Sequence, residues 1–306
     1  MPLLRRRPSC PREGRRRAIA RAGAGRAGGG ISLGQAAALG GLQGPTELLP
    51  VSSSAHTTLV PWLAGWSYPE LDPELRKSFE VALHAGAAAA LALDMRAELI
   101  GSARGLGPRR IAVVALSLAP PALAGYTLER TIERRLGGPR SIVAGLLAGA
   151  VAMAVADTRA GNGERAERDA GPRDGLALGL AQAAALIPGI SRNGATLTAA
   201  RARGFAREDA QTLSWHAGLP VIFGASLLKI WRLRRAWRLR QGGAADAAAA
   251  ALAVGAGTAF LSTALSARLL RRPRVSARSL LPYAVYRCTI AAIALLRLRR
   301  KQNMCK

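Results

Sequence analysis

Cysteine is scarce in this chain. Its 306 residues include only Cys10, Cys288 and Cys305, scattered along the length. That pattern excludes a disulfide framework and any cysteine-based metal spacing. Acidic side chains are also few: 18 Asp and Glu face 44 Lys and Arg, for a formal net charge of +26. The N-terminus, up to about Gly30, has no apolar core behind its basic residues and reads as a poor signal peptide. It is expected to be a disordered basic extension.

What is present is apolar length. Mean hydropathy is only +0.13 because Arg-rich segments dilute it. Apolar stretches of roughly 15–25 residues nevertheless recur, enough to cross ~30 Å of hydrocarbon. A nucleic-acid binder keeps its cations on a patch around an ordinary core. Here the Arg clusters lie between apolar stretches and at both ends, as loops at an anionic lipid surface would. Nucleic acid is therefore not expected as a partner, and membrane lipid is. Codon bias is the blander account of the Arg excess.

Ile31 to Leu42 is helix-compatible but short, and Gly44-Pro45 is expected to stop it. A second short helix follows from about His56 to Trp66. Phe79 to Leu93, Ile111 to Tyr126 (kinked or shortened by Pro120-Pro121) and Ser141 to Ala156 are further apolar segments. Glu129 to Arg140 and Thr158 to Arg173 read as charged loops. Gly175 to Ile187 then repeats the start, ends at a Pro-Gly break, and continues as Ala195 to Phe205. Gln211 to Trp231, Ala244 to Leu270 and Ser279 to Leu296 complete the series. The expected fold is an all-α integral membrane protein with about six spans. Two re-entrant helical pairs in matching positions point to an inverted-topology repeat with a site at its interface. The expected organisation is an extension over 1–30, one membrane domain over 31–297 with repeats of about 31–156 and 174–297, and a basic tail over 298–306. An even number of spans puts both termini on one face.

The two breaks carry the chemistry. The first reads Gln43-Gly-Pro-Thr-Glu47-Leu-Leu-Pro-Val-Ser52-Ser53-Ser54-Ala-His56. The second reads Gln182-Ala-Ala-Ala-Leu-Ile-Pro188-Gly189-Ile-Ser191-Arg192-Asn193-Gly194-Ala-Thr196. Each sets a Gln nine residues before a Ser. An ionised Glu47 at membrane depth is a functional candidate. Gln43, one turn earlier, can join it as an oxygen ligand for a hard cation. The blander readings of Glu47 are a helix cap or a partner for an Arg. Ser53-x-x-His56 places an imidazole within a turn of a hydroxyl, as nucleophilic or acid–base chemistry requires. A serine turn and a histidine held by a backbone carbonyl are the blander alternatives. Ser191, Arg192, Asn193 and Thr196 follow Gly189 at a helix start, where free N–H groups and a guanidinium can hold phosphate; a capped helix with a snorkelling Arg is the alternative. Glu80 and His84 share a helix face and can bond to each other. His216 lies in an apolar run, Arg287 is expected to meet a carboxylate or carbonyl, and Asp174 to cap a helix.

These two segments resemble the paired signatures of the undecaprenyl-diphosphatases, the bacitracin-resistance type of membrane lipid pyrophosphatase. Phe79-Glu-Val-Ala-Leu-His84-Ala-Gly86, Leu219-Pro220 to Lys229 and Tyr286-Arg287 extend the resemblance over about 31–297. It implies six spans with two re-entrant pairs in inverted repeat. It implies hydrolysis of undecaprenyl diphosphate to the monophosphate and phosphate, recycling the carrier for peptidoglycan synthesis. It further implies a divalent cation, Mg²⁺ or Ca²⁺, and a bacterial cytoplasmic membrane with the pocket facing outward. Carried onto this chain, Glu47, Ser53, His56 and Arg192 are catalytic, with Ser53 as nucleophile or phosphate ligand, His56 as its partner and Arg192 as phosphate clamp. Gln43, Ser52, Ser54, Gly189, Ser191, Asn193 and Thr196 bind substrate, and Glu47 with Gln43 holds metal. Gln43 stands where many members have Glu, so Glu47 must serve as the base. Asn193 replaces a usual Ser and Ala55 a usual Gly. A homodimer is left open. A polyprenyl-phosphate flippase or secondary transporter is the alternative, since broken helices in inverted repeats serve transport too.

Overall fold

The computed structural model describes residues 30–104, 107–237, 243–270 and 279–303. Most of the expected N-terminal extension and the last three residues of the tail lie outside the described residues. Among the described residues there are eleven α-helices and no strand. They are α1 (Leu33–Leu48), α2 (Ser53–Ala64), α3 (Pro73–Asp94), α4 (Arg96–Arg104), α5 (Pro108–Leu136) and α6 (Pro139–Ala160). The second half holds α7 (Pro172–Ala184), α8 (Arg192–Ala202), α9 (Arg207–Trp237), α10 (Gly243–Leu270) and α11 (Leu281–Asn303). Among the described residues four segments are long and apolar enough to cross a membrane: Pro108–Glu129, Pro139–Ala160, Asp246–Leu270 and Leu281–Arg300. The chain is a multi-pass, all-helical membrane protein.

Several helices outrun the sequence reading. α1 does not stop at Gly44-Pro45 but runs through Pro45 to Leu48. Proline lacks the N–H that would reach the Gly41 carbonyl. Ser262 of α10 supplies the missing donor, its Oγ lying 2.6 Å from that oxygen. The same device carries α5 through Pro120-Pro121. There the Ser117 carbonyl, which Pro121 leaves unpaired, accepts from Gln182 Nε2 at 3.0 Å. The expected loop over Glu129 to Arg140 is helical as far as Leu136, and α11 continues through its basic end to Asn303. Glu and Arg are good helix formers, so charge alone did not mark a loop.

Small residues decide how the helices meet. α1 packs on α10, and α7 packs on α5. A Cβ at Gly40 would lie 2.6 Å from the Gly255 carbonyl, and one at Gly44 2.5 Å from that of Ser262. On α7, a Cβ at Gly175 or Gly179 would meet the Val113 or Leu116 carbonyl at 2.5 or 2.3 Å. Each helix thus presents two glycines four residues apart, the small-residue seam by which membrane helices approach closely. Apolar clusters fill the rest. Leu48, Leu91, Trp215, Leu219 and Ala267 join α1, α3, α9 and α10, while Ala55, Leu59, Leu146 and Ala291 join α2, α6 and α11.

Candidate functional site

The two breaks meet at the centre of this packing. Each ends in a serine that caps the next helix: Ser52 Oγ accepts from the Ala55 N–H, Ser191 Oγ from the Gly194 N–H. Ser52 (φ 75°) and Ser191 (φ 48°) are the only non-glycine residues with positive φ among the described residues. An L-residue held there costs roughly 1–2 kcal/mol. The matched spacing in the sequence is thus a matched backbone strain.

One guanidinium holds both breaks. Arg287, only 1% exposed, donates to the Pro50 carbonyl (3.4 Å) in the first break and the Gly189 carbonyl (2.8 Å) in the second. It also reaches the Gly145 carbonyl of α6 at 3.3 Å. The sequence reading of a carbonyl partner for Arg287 is the one observed. Room for it comes from glycine: a Cβ at Gly149 would lie 2.1 Å from its Nη2. Asn193 adds a second tie, its Nδ2 donating to the Leu48 carbonyl while its Oδ1 accepts from Ser214 Oγ at 2.8 Å. Thr196 bonds to the Arg192 and Asn193 carbonyls and to Ser214. Gly189 adopts φ 97° against α6, where a Cβ would meet the Ile142 carbonyl at 2.3 Å. Gly189, Asn193 and Thr196, expected at the substrate, therefore lie in the fabric that joins the breaks.

Glu47 is the meeting point of the reactive groups. Its Oε2 accepts from Ser53 Oγ at 2.9 Å and Gln43 Nε2 at 3.3 Å. Its Oε1 accepts from Arg192 Nη2 at 3.2 Å. The first break thereby contributes carboxylate and hydroxyl, and the second a cation. The pairing of Glu47 with an Arg, read as the blander alternative, is realised with the very Arg expected at phosphate. The carboxylate is 8% exposed and Arg192 15%. Arg192 Nη1 and Gln43 Oε1 are buried and have no hydrogen-bond partner among the described residues. Ser54 Oγ lies 3.2 Å from Ser52 Oγ.

His56 is placed differently from the Ser53-x-x-His56 expectation. Its Nδ1 is 2.7 Å from the Ser52 carbonyl and its Nε2 is 2.7 Å from the Tyr286 hydroxyl. The Ser53 hydroxyl turns to Glu47 instead, because the helix start carries the serine and imidazole onto different neighbours.

Two networks flank the site. Asp157, 1% exposed, binds Arg201, Arg207, Ser279 Oγ and the Leu280 N–H. Asp174 accepts from the Gly171 N–H, capping α7 as expected, and from Arg165 and Arg203. Burial alone would raise the Asp174 pKa. The Arg165 bond, the Gly171 N–H and Arg203 outweigh it and hold the carboxyl below the usual carboxylate range. His216 lies 2.8 Å from Glu167 Oε1, and that bond, with Arg110 nearby, likewise lowers the Glu167 pKa against burial.

Comparison with known proteins decides the family. The family model described as bacitracin resistance protein BacA matches residues 36–293, which contain both breaks. The chain belongs to this family. It is 39% identical over 264 residues to an undecaprenyl-diphosphatase of Geobacter sulfurreducens, covering 82% of this chain and 93% of the relative. A Geobacter metallireducens protein of the same name is 38% identical over 277 residues, covering 85% and 96%. One from Alcanivorax borkumensis is 37% identical over 276 residues, covering 86% and 97%.

Within that family frame, some of the site was invisible in the sequence. His84 Nδ1 lies 3.1 Å from Gln43 Nε2 and 3.6 Å from Glu47 Oε2, so it borders the carboxylate as well as sharing a face with Glu80. Ser214 and Gly218 carry no motif, and their only signal was position in one apolar run; Tyr286 stood within the resemblance, but with no role assigned to it.

Proposed function

We propose that this chain hydrolyses undecaprenyl diphosphate to undecaprenyl phosphate and inorganic phosphate in the bacterial cytoplasmic membrane, from a pocket open to the outer face. The observation that carries the reading is the contact of Ser53 and Arg192 with one carboxylate, Glu47, across the two breaks. The family match and the names of the similar proteins supply the lipid diphosphate as substrate.

Glu47 pairs with Arg192 and touches the Ser53 hydroxyl, so it is placed to take that proton. The Ser53 oxygen attacks the terminal phosphorus as its proton passes to Glu47 Oε2. The P–O bond to the bridging oxygen breaks, and undecaprenyl phosphate leaves. Water then cleaves the phosphoserine, and Glu47 returns the proton to Ser53. Direct attack by water oriented at Ser53 uses the same groups, and trapping of radiolabel on Ser53 separates the two routes. Arg192 has a second, unpartnered nitrogen for the phosphate oxygens, where preorganised charge favours the spreading negative charge of the transition state.

The donor set also fits a hard cation. Gln43 Oε1 is a buried acceptor without a donor, one turn from the Glu47 carboxylate. Among the described residues no group of three His, Cys, Asp or Glu could hold a metal. A Mg²⁺ or Ca²⁺ would therefore take Gln43 and Glu47 and complete its shell with water and substrate oxygens. Such an ion supplies charge neutralisation on the diphosphate.

The inverted repeat is part of this reading. α1 on α10 and α7 on α5 are reciprocal pairs, as expected if each broken helix packs on a span of the opposite register. With α3 and α9 added to the four apolar segments, the count is six spans. Phosphate release from undecaprenyl diphosphate and Mg²⁺ in detergent tests the function, with Glu47→Ala expected to abolish it. Wild-type protein that releases no phosphate but moves polyprenyl phosphate across vesicles would establish the transport alternative instead.

A further inference from the structure

His56 has no free route to the reaction. The Ser52 carbonyl can only accept, so His56 Nδ1 carries the proton that faces it at 2.7 Å. Nε2 then presents its lone pair to the Tyr286 hydroxyl, also at 2.7 Å, and the phenol donates. The two rings are nearly parallel, 5° apart with centroids at 5.7 Å. Both members are fixed by the breaks themselves. Ser52 is the strained residue of the first break, and Tyr286 adjoins Arg287, which grips both. Tyr286 is 41% exposed and His56 4% exposed, so the tyrosine is the accessible member of the pair. The second break has Ala195 where the first has His56, so this pair belongs to one half only.

Resting on the phosphatase reading, we infer that Tyr286 relays the proton of the attacking water to His56. In the water-consuming step the water oxygen bonds to phosphorus, and its O–H breaks as the phenol oxygen takes the proton. The phenol's own proton passes to His56 Nε2. The P–O bond to the leaving oxygen breaks with its electron pair, and the protonated imidazole later returns its Nε2 proton to the phenol oxygen as the phenol gives up its own proton. Glu47 serves Ser53, and His56 serves water through Tyr286.

The test combines Tyr286→Phe, His56→Ala, the double variant, and 3,5-difluorotyrosine placed at position 286. Each is assayed for phosphate release from undecaprenyl diphosphate and for thermal unfolding in the same detergent. Tyr286→Phe is expected to lower kcat about 100-fold, the lower end of acid–base contributions, with KM within about twofold. The double variant is expected to be no slower than His56→Ala alone, since the two act as a unit. Fluorination keeps the shape and changes the phenol's acidity, and is expected to change kcat without moving the melting point. Wild-type kcat in Tyr286→Phe, multiplied losses in the double variant, or indifference to fluorination would each overturn the relay. Wild-type protein without phosphate release would instead refute the phosphatase reading beneath it.

Discussion

Gly218 offers a test of the Arg192 position that leaves the charged groups untouched. A Cβ built on Gly218 would lie 1.8 Å from Arg192 Nη1 and 2.9 Å from its Cζ. Ordinary packing separations are about 3.5 Å or more, so the guanidinium must withdraw by roughly 1.7 Å. The obstacle is the far end of a flexible side chain, so the backbone of α9 need not shift. The withdrawal takes Nη2 out of reach of Glu47, from which it now stands 3.2 Å. A misplacement of about 1 Å in a catalytic site costs on the order of 100-fold, or roughly 2.7 kcal/mol of transition-state stabilisation. Stability should also fall, because Glu47 loses a buried partner, a cost above the roughly 0.5–1 kcal/mol by which Ala is favoured over Gly in a helix. The assay is kcat/KM for phosphate release beside thermal unfolding in one detergent. Gly224→Ala on the same helix is the control, since nothing lies within 4 Å of its added Cβ. Wild-type kcat/KM in Gly218→Ala would refute the placement of Arg192 as the phosphate clamp.

Other outcomes follow from the same packing. Arg287→Ala removes the donor shared by three buried carbonyls; at about 1–3 kcal/mol for each orphaned group, it should lower the yield of folded protein and abolish phosphate release together. Ser262→Ala should lower the melting point by a few degrees in wild-type background. In Pro45→Ala it should cost less, because residue 45 regains the N–H for Gly41; equal losses in both backgrounds would disprove the compensation. Asp174 has a folded pKa below its ordinary value of roughly 4. Its contribution is therefore complete above that value and is lost only as pH falls through the lower folded pKa. The melting point should stay flat from neutral pH down to about 5 on this account, and drop in stronger acid. Asp174→Asn should lower it by an amount corresponding to about 1–2 kcal/mol at neutral pH, because the partly exposed Arg165 and Arg203 lose a charged partner but stay solvated.

The breaks were legible because their signal is local. Pro, Gly and Ser clusters inside apolar sequence interrupt helices wherever they occur, and a lone Glu and Arg beside them stand out by cost. The contact of Glu47 with Arg192, across 145 residues of chain, is the blander reading of Glu47 as the partner of an Arg, and the sequence did not say which Arg. The places where the reading failed depend on distant partners. Whether Pro45 ends α1 is decided by Ser262, 221 residues from the carbonyl it satisfies. Whether His56 serves Ser53 is decided by Tyr286, 230 residues away. Helix ends in charged sequence, such as Leu136 and Asn303, were misjudged because polarity marks exposure to water and not the end of a helix.

Arg287 gives the site an order of assembly. The guanidinium that ties Pro50 to Gly189 sits on the last helix, while both breaks belong to segments synthesised well before it. A chain emerging from the ribosome at about 5–20 residues per second holds both halves of its chemistry before the clasp arrives. A nascent or truncated chain lacking that helix would carry Glu47, Ser53, His56 and Arg192 but neither the Arg287 clasp nor Tyr286.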